Sequence, residues 1–125
     1  MDDAVRAALD HGGLIEITTT GTRTGKLRRL EIVFHNFGRH LYISGMPNPA
    51  RKRGWLANLE ANPALTVHLK GAVQTDLPAT ARVITNPAER RSILEQIARV
   101  WRRTDLNEML AHSPLIELTI EGYPG

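Results

Sequence analysis

Residues 27–43 read LRRLEIVFHNFGRHLYI, and the alternation within this stretch decides the fold. Leu30, Ile32 and Phe34 occupy every second position, so their side chains share one face of an extended strand. A turn at residues 36–38 follows. The alternation then resumes, with Leu41 and Ile43 predicted to point inward and His40 and Tyr42 the opposite way. This pattern predicts an antiparallel hairpin, because buried strands of a parallel sheet are continuous apolar runs.

Similar signals define elements on both sides of this hairpin. Asn48-Pro49 and Asn86-Pro87 predict helix starts, because asparagine caps a helix and proline suits its first position. A bend or bulge is expected near Pro78, since proline cannot donate to a strand ladder. The predicted elements are helices over residues 3–10, 49–61 and 87–102, and strands over 14–20, 27–35, 40–43, around 67–69, 72–84 and 115–121.

Six short alternating strands with helices between them predict a single domain over residues 1–125. The domain should be mainly β with flanking helices, arranged as a small antiparallel β-barrel. Its 125 residues suffice to bury one hydrophobic core.

Several classes of protein are excluded or disfavoured by what the sequence lacks. Cysteine is absent, which excludes disulfides and thiolate nucleophiles and agrees with a reducing cytoplasm. No apolar run approaches the roughly eighteen residues of a transmembrane helix, and no signal-peptide pattern opens the chain. The sequence has no Gly-x-Ser-x-Gly nucleophile elbow, and its histidines lack metal-ligand spacing, so we expect neither a hydrolase nor a metal site.

The positive charges are concentrated in three places. The net charge is +3, and clustered cations indicate an anionic partner, either a nucleic acid, a membrane surface or a phosphorylated small molecule. Ordinary solvated surface charge is the alternative. The clusters are Arg23, Lys26, Arg28 and Arg29; Arg51, Lys52 and Arg53; and Arg99, Arg102 and Arg103.

The first cluster follows a threonine-rich strand and lies in a glycine-containing corner, residues 18–26, that reads TTTGTRTGK. Backbone N–H groups at such a turn, together with threonine hydroxyls and arginine donors, suit a phosphate or a carboxylate. The spacing matches neither a Walker A loop nor a dinucleotide fingerprint. An ordinary hairpin tip remains the alternative.

The second cluster falls in the first turn of the helix predicted to begin at Asn48-Pro49. The dipole makes that end positive, so Arg51, Lys52 and Arg53 should each be unfavourable there by about 0.3–1 kcal/mol. An anion docked at this end would explain their placement. Gly54 would cost about 1 kcal/mol inside the helix unless a ligand or backbone must pass close to it.

Two motifs resemble those of the deazaflavin-dependent nitroreductase family. Residues 17–26, ITTTGTRTGK, followed by Arg28, resemble its opening motif, and residues 54–63, GWLANLEANP, resemble its second motif. The strand 80–83, the helix start 86–90 and the closing strand 116–118 follow in the family's order. The family's tyrosine after the tryptophan is Leu56 here, and residues 101–113 lack the tyrosines that close over substrate in the nitroreductase.

The resemblance implies a split β-barrel of the FMN-binding, pyridoxamine-phosphate-oxidase-like type. It implies the 8-hydroxy-5-deazaflavin coenzyme F420, with a phosphate and an oligoglutamate tail; FMN is the alternative cofactor. Anionic groups of the coenzyme would bind at Arg23, Thr24 and Arg28, and residues 45–55 would line its ring and tail. The cofactor-binding residues that we expect are Thr22, Arg23, Thr24, Gly25, Arg28, Ser44, Gly45, Arg51, Lys52, Arg53 and Trp55.

The predicted function is hydride transfer from the reduced deazaflavin to a small organic acceptor: a nitroaromatic compound, a quinone or an activated double bond. The protein would orient the ring and exclude water, and Tyr42, a nearby histidine or solvent would supply a proton. The alternatives are an FMN-binding split-barrel oxidoreductase and a non-catalytic barrel that binds lipid or nucleic acid. Few exposed aromatic side chains are available for base stacking, so no nucleic acid is expected. We expect a cytoplasmic monomer or homodimer, and peripheral membrane association stays open.

Overall fold

The computed structural model of the chain describes residues 1–50 and 53–124 and contains six strands and four helices in this part. In chain order they are α1 (Asp3–His11), β1 (Gly13–Thr20), β2 (Leu27–Phe37), β3 (His40–Ser44), α2 (Gly54–Ala61), β4 (Ala64–Lys70), β5 (Gln74–Val83), α3 (Pro87–Trp101), α4 (Leu106–His112) and β6 (Leu115–Ile120). No helix in the described ranges is long and apolar enough to cross a membrane.

The strands form a closed barrel in the order β1-β2-β3-β6-β5-β4, and every neighbouring pair is antiparallel. The pairing of β1 with β4, which sets Ile17 opposite Val67, completes the closure. Closure leaves no strand edge unpaired, which removes a common route to aggregation. The predicted mainly β class, with an antiparallel barrel of about six strands and flanking helices, is confirmed.

Alternating side chains fill the barrel as the sequence predicts. On β1, Ile15, Ile17 and Thr19 are buried while the residues between them are partly exposed. Each fully buried aliphatic side chain contributes about 1.5–3 kcal/mol of hydrophobic free energy. The other buried members of this core are Leu9, Phe34, Leu41, Ile43, Leu59, Leu65, Val67, Leu69, Ala79, Ala81, Ile116, Leu118 and Ile120.

A second hydrophobic cluster lies outside the barrel, where α3 and α4 cover β3. Tyr42 does point away from the barrel core, as predicted, but it is only 8% exposed because it packs into this cluster. Its partners include Ile93, Leu94 and Ile97 of α3 and Met109 of α4. Both faces of β3 are therefore buried, and this explains why only His40 of the strand is exposed.

Of the bend or bulge predicted near Pro78, the bulge against β4 is wrong. The register between β4 and β5 runs without interruption from Ala64 opposite Thr80 to Lys70 opposite Gln74. The N–H of Ala81 donates to the carbonyl of Pro63, on the β4 side of the strand. Because successive residues of a strand direct their backbone groups to opposite sides, the nitrogen of Pro78, three residues earlier, faces β6. The ladder with β6 stops at Ala79. Proline is tolerated there because no ladder hydrogen bond is required of its nitrogen.

The predicted start of the second helix is also wrong. The helix α2 begins at Gly54, with Arg53 as its cap residue. Asn48 instead accepts a hydrogen bond of 3.0 Å from the N–H of Ala50, which makes a local asparagine turn. Arg53 therefore precedes the helix, Gly54 is its first residue and not an interior one, and Arg51 and Lys52 lie outside the described residues.

The predicted helix over residues 87–102 is confirmed as α3, whereas α4 was not predicted. The side chain of Asn86 accepts from the N–H of Glu89, and α3 runs from Pro87 to Trp101. The short helix α4 follows, and Met109 anchors it in the second hydrophobic cluster. Its seven residues hold too few apolar positions to reveal a helical period.

One end of the barrel collects the connections that form the candidate site. Because neighbouring strands are antiparallel, the last residues of β1, β3 and β5 lie at the same end as the first residues of β2, β4 and β6. We call this the upper end. It carries the β1–β2 turn, the loop from β3 to α2, helix α2, and the connections β5–α3 and α4–β6.

Candidate active site at the upper end of the barrel

A cleft of about 560 Å³ separates the β1–β2 turn from α2. It brings together the two sequence motifs, which are about thirty residues apart in the chain. We call it the basic cleft, because three of its side chains are cationic. Its lining residues are Gly21, Thr22, Arg23, Thr24, Lys26, Arg28, Gly54, Ala57 and Asn58.

The β1–β2 turn is closed by its own backbone. Gly21 donates its N–H to the carbonyl of Lys26 at 2.7 Å, and Gly25 donates to the carbonyl of Gly21 at 3.2 Å. Gly25 has a φ of +68°, which favours glycine over residues that carry a Cβ. The hydroxyl of Thr24 accepts from the N–H of Lys26. The turn is thus a defined structure that holds its cationic side chains in solvent.

The cations of the basic cleft are unpaired within the described part of the chain. Arg23, Lys26 and Arg28 are exposed, and none of them forms an ion pair there. The neighbouring Arg29 behaves differently, because its guanidinium pairs with Glu16. The cleft therefore carries a local positive potential that attracts anions.

A buried hydrogen bond fixes α2 against the barrel beside this cleft. Asn58 is 6% exposed and Thr19 is 1% exposed, and the amide of Asn58 donates to the hydroxyl of Thr19 at 3.0 Å. Leu59, the next residue of α2, packs into the barrel core. Together these contacts set the distance between the helix and the basic turn.

The first turn of α2 adds a second source of positive potential. Arg53 makes no side-chain capping hydrogen bond, so the first N–H groups of the helix have no side-chain acceptor among the described residues. A Cβ at Gly54 would meet no atom within 4 Å, which leaves open space over the helix start. A helix N-terminus with free N–H groups suits a phosphate or carboxylate.

A second cavity of about 440 Å³ lies on a different face of α2. Arg53 and Leu56 line it, whereas Gly54, Ala57 and Asn58 line the basic cleft. The guanidinium of Arg53 packs over Gly45, where a Cβ would lie 2.9 Å from the guanidinium carbon, and donates to the carbonyl of Met46 at 2.5 Å. The remaining walls come from Asn48, Pro49, Val83, Ile84, Thr85, Arg90, Leu110, Ala111, His112, Ser113, Pro114 and Leu115.

The predicted cofactor residues that the structure describes fall into three groups, and Arg51 and Lys52 lie outside the described residues. Thr22, Arg23, Thr24 and Arg28 line the basic cleft, and Gly25 shapes its turn. Arg53 lines the second cavity and packs over Gly45, while the hydroxyl of Ser44 is buried and donates to the carbonyl of Pro114 at 2.5 Å. Trp55 packs against the barrel core.

Tyr42, the predicted proton donor, lies in the cluster under α3 and α4 and does not line either cavity. Burial, with a smaller effect of the Glu117 carboxylate, raises the pKa of its hydroxyl. Tyr42 thus lies outside both cavities, and its role as a proton donor stays a prediction.

Most residues that line the two cavities are absent from the predicted set of cofactor residues, and five of these matter for the site. Lys26, Gly54 and Asn58 line the basic cleft; Lys26 directly follows the turn, and the spacing of Gly54 and Asn58 places both on one side of a helix. Arg90 and Ser113 line the second cavity. They belong to α3 and to the end of α4, and their proximity cannot be predicted when α4 is not. In the described ranges, no group of three histidine or acidic side chains could hold a metal ion.

Comparisons with known proteins agree with this geometry. The sequence model of the F420H(2)-dependent quinone reductase family matches residues 4–113. A search of curated proteins found no match.

Several solved structures share the fold. An F420-H2 dependent reductase is 18% identical, with a TM-score of 0.62 over 86% of this chain and 94% of that one. A protein from Listeria innocua, proposed to be a pyridoxamine 5′-phosphate oxidase, is 14% identical with a TM-score of 0.67, covering 95% and 92%. A conserved hypothetical protein from Mycobacterium tuberculosis is 10% identical with a TM-score of 0.73, covering 97% and 81%.

At these identities the structural neighbours establish the fold, which is that of the pyridoxamine-phosphate-oxidase-like barrels. The family match covers most of the chain, including both motifs that meet at the basic cleft. The chain therefore belongs to the F420H(2)-dependent quinone reductase family and is an F420-dependent oxidoreductase.

Proposed function

We propose that the basic cleft binds the phosphate and tail of reduced coenzyme F420, and that the protein reduces a small organic acceptor such as a quinone. Nitroaromatic compounds and activated double bonds are two further acceptor classes that accept a hydride from the same coenzyme. The observation that carries the proposal is the cleft itself, in which three cations without ion pairs among the described residues face the open first turn of α2.

The residues of the cleft fit the anionic part of this coenzyme. Arg23 and Arg28 are long, exposed and unpaired, so they are free to make charge-assisted hydrogen bonds to phosphate or carboxylate oxygens. The open space over Gly54 lets an oxygen approach the helix N–H groups closely. Lys26, which lies on the same side of the cleft as the two arginines, adds a third positive charge.

When bound, the coenzyme supplies the hydride. The chain's contribution is to fix the position of the bound ring and to keep water away from the reacting atoms. The rigid link between Asn58 and Thr19 holds one wall of the cleft in place. Arg53, which lines the second cavity and packs over Gly45, is proposed to lie beside the ring.

The proposed coenzyme is distinguished from FMN by charge. Both carry a phosphate, but only F420 adds an oligoglutamate tail, and three unpaired cations exceed what one phosphate requires. We therefore expect F420 to bind more tightly than FMN, and we expect the difference to shrink as salt screens the tail.

Fluorescence titration of the purified protein with F420 and with FMN, each at low and at high salt, tests this proposal. Tighter binding of F420 that weakens with salt supports it. Equal affinities for the two cofactors, or an F420 affinity that salt leaves unchanged, would contradict tail binding at the basic cleft.

A further inference from the structure

The second cavity contains two arginines and no carboxylate among its described lining residues. Arg53 donates to the carbonyl of Met46 and forms no ion pair with any described residue. Burial without a compensating anion lowers the pKa of its guanidinium. A half-buried cation in that situation is stabilised by any anion that enters the cavity.

Arg90 contributes a second positive charge to the same cavity. Its guanidinium donates to four main-chain carbonyls, those of Ile84, Met109, Leu110 and Ser113. Carbonyl dipoles at the end of α4 offset part of this charge. The ion pairs of the described residues do not include Arg90, so it too lacks a carboxylate partner there.

The hydroxyl of Ser113 is a buried polar group without a partner. Ser113 is only 4% exposed, and its Oγ makes no hydrogen bond in the described structure. Its backbone is fully engaged, because its N–H donates to Met109 and its carbonyl accepts from Arg90. Buried hydroxyls almost always have a partner, so this one, on a residue that lines the cavity, leaves a donor free for an acceptor.

We propose that the second cavity binds a carboxylate group, with Ser113 donating a hydrogen bond to it and Arg53 and Arg90 supplying the positive field. Apolar side chains, among them Leu56, Ile84 and Leu110, would hold the body of the ligand. The volume of about 440 Å³ suits a small aromatic or aliphatic acid.

This inference rests on the proposed function for the origin of the carboxylate. The cavity shares α2 with the basic cleft, so an acidic acceptor could lie next to the bound coenzyme, or the glutamate tail could turn into the cavity. Both sources offer the same chemistry to Ser113.

Benzoate serves as the probe, with benzamide as its neutral counterpart of equal shape. Calorimetric titration of the cofactor-free protein should show benzoate binding at least about tenfold more tightly than benzamide. Ser113→Ala and Arg53→Gln should each lower the affinity for benzoate by about tenfold. The control variant Ser92→Ala, which changes an exposed serine on α3, should leave that affinity unchanged. Because Ser113→Ala removes an unpaired buried hydroxyl, its melting temperature should not fall, which separates loss of binding from loss of fold.

Competition distinguishes the two sources. If the tail is the natural ligand, F420 displaces benzoate but the deazaflavin chromophore without phosphate and tail does not. If an acidic acceptor is the natural ligand, benzoate and F420 bind together.

Absence of benzoate binding, or an unchanged affinity in Ser113→Ala, would overturn the inference. Neither result would contradict the proposed function, because coenzyme binding at the basic cleft is measured in a separate titration.

Discussion

The side-chain amide of Asn58 donates a hydrogen bond of 3.0 Å to the hydroxyl of Thr19, and this bond joins α2 to β1 beneath the basic cleft. Both residues are buried, so the bond is not exchanged with water. One residue belongs to each of the two sequence motifs that meet here.

Replacing Asn58 by Ala should lower the free energy of unfolding by about 1–3 kcal/mol, because the Thr19 hydroxyl is left without its buried donor. Thr19→Val in the same background should recover part of the loss, since it removes the orphaned hydroxyl. Urea unfolding of the two single variants and the double variant gives the coupling energy. Additive effects of the two substitutions would show that the bond does not link the motifs energetically.

Arg23→Ala and Arg28→Ala should each weaken F420 binding by about 1.5–3 kcal/mol, which is roughly 10- to 150-fold. Stability should hardly change, because both side chains are exposed and unpaired within the described structure.

Arg29→Ala is the matched control for these two variants. It removes the same charge from β2, the strand that also carries Arg28, but the guanidinium of Arg29 pairs with Glu16 and does not line the cleft. If Arg29→Ala weakened F420 binding as much as Arg28→Ala does, the loss of affinity would reflect the overall charge of the barrel end and not a specific contact.

Gly45→Ala should separate binding from stability at the second cavity. The new methyl group would lie about 3 Å from the Arg53 guanidinium, which sits at the end of a flexible side chain and is able to move. We expect little change in melting temperature, but weaker benzoate binding, because Arg53 would leave the carbonyl of Met46. A large loss of stability would show instead that the close packing of Arg53 on Gly45 supports the fold.

The barrel was predictable because its signal is local and repeated. In β1, β2 and β6, apolar residues alternate with polar ones, and a one-residue shift would expose the whole apolar set. Asn86 and Pro87 fixed the start of α3 for a similar reason, since the cap and the first helical residue are adjacent.

The errors in the prediction have two causes: a local signal that fits two structures, and burial that depends on elements distant in the sequence. Asn48 makes an asparagine turn with the same side-chain oxygen that would cap a helix, so the start of α2 was placed at residue 49 instead of 54. Burial of Tyr42 depends on α3 and α4 folding back over β3, which alternation within β3 does not reveal. The second cavity could not be predicted without α4, because α4 positions Ser113 in its wall.

His35 makes the stability of the fold depend on pH. It is 5% exposed, its ring stacks on Phe37 with centroids 5.8 Å apart, and its Nε2 has no partner in the described structure. Burial therefore lowers the pKa of the His35 imidazole in the folded protein. Between that lowered pKa and the unfolded value of about 6.5, the unfolded chain binds more protons than the folded one.

The free energy of unfolding contributed by His35 is therefore constant above about pH 6.5 and falls as the pH drops below it, by at most about 1.4 kcal/mol per pH unit. Chemical unfolding of the wild-type protein and of His35→Phe, followed from pH 8 to pH 5, measures this slope. Phenylalanine keeps the stacking on Phe37 but binds no proton, so the variant should lose less stability over the acid half of the range. Parallel profiles for the two proteins would show that His35 takes up its proton as readily when folded as when unfolded.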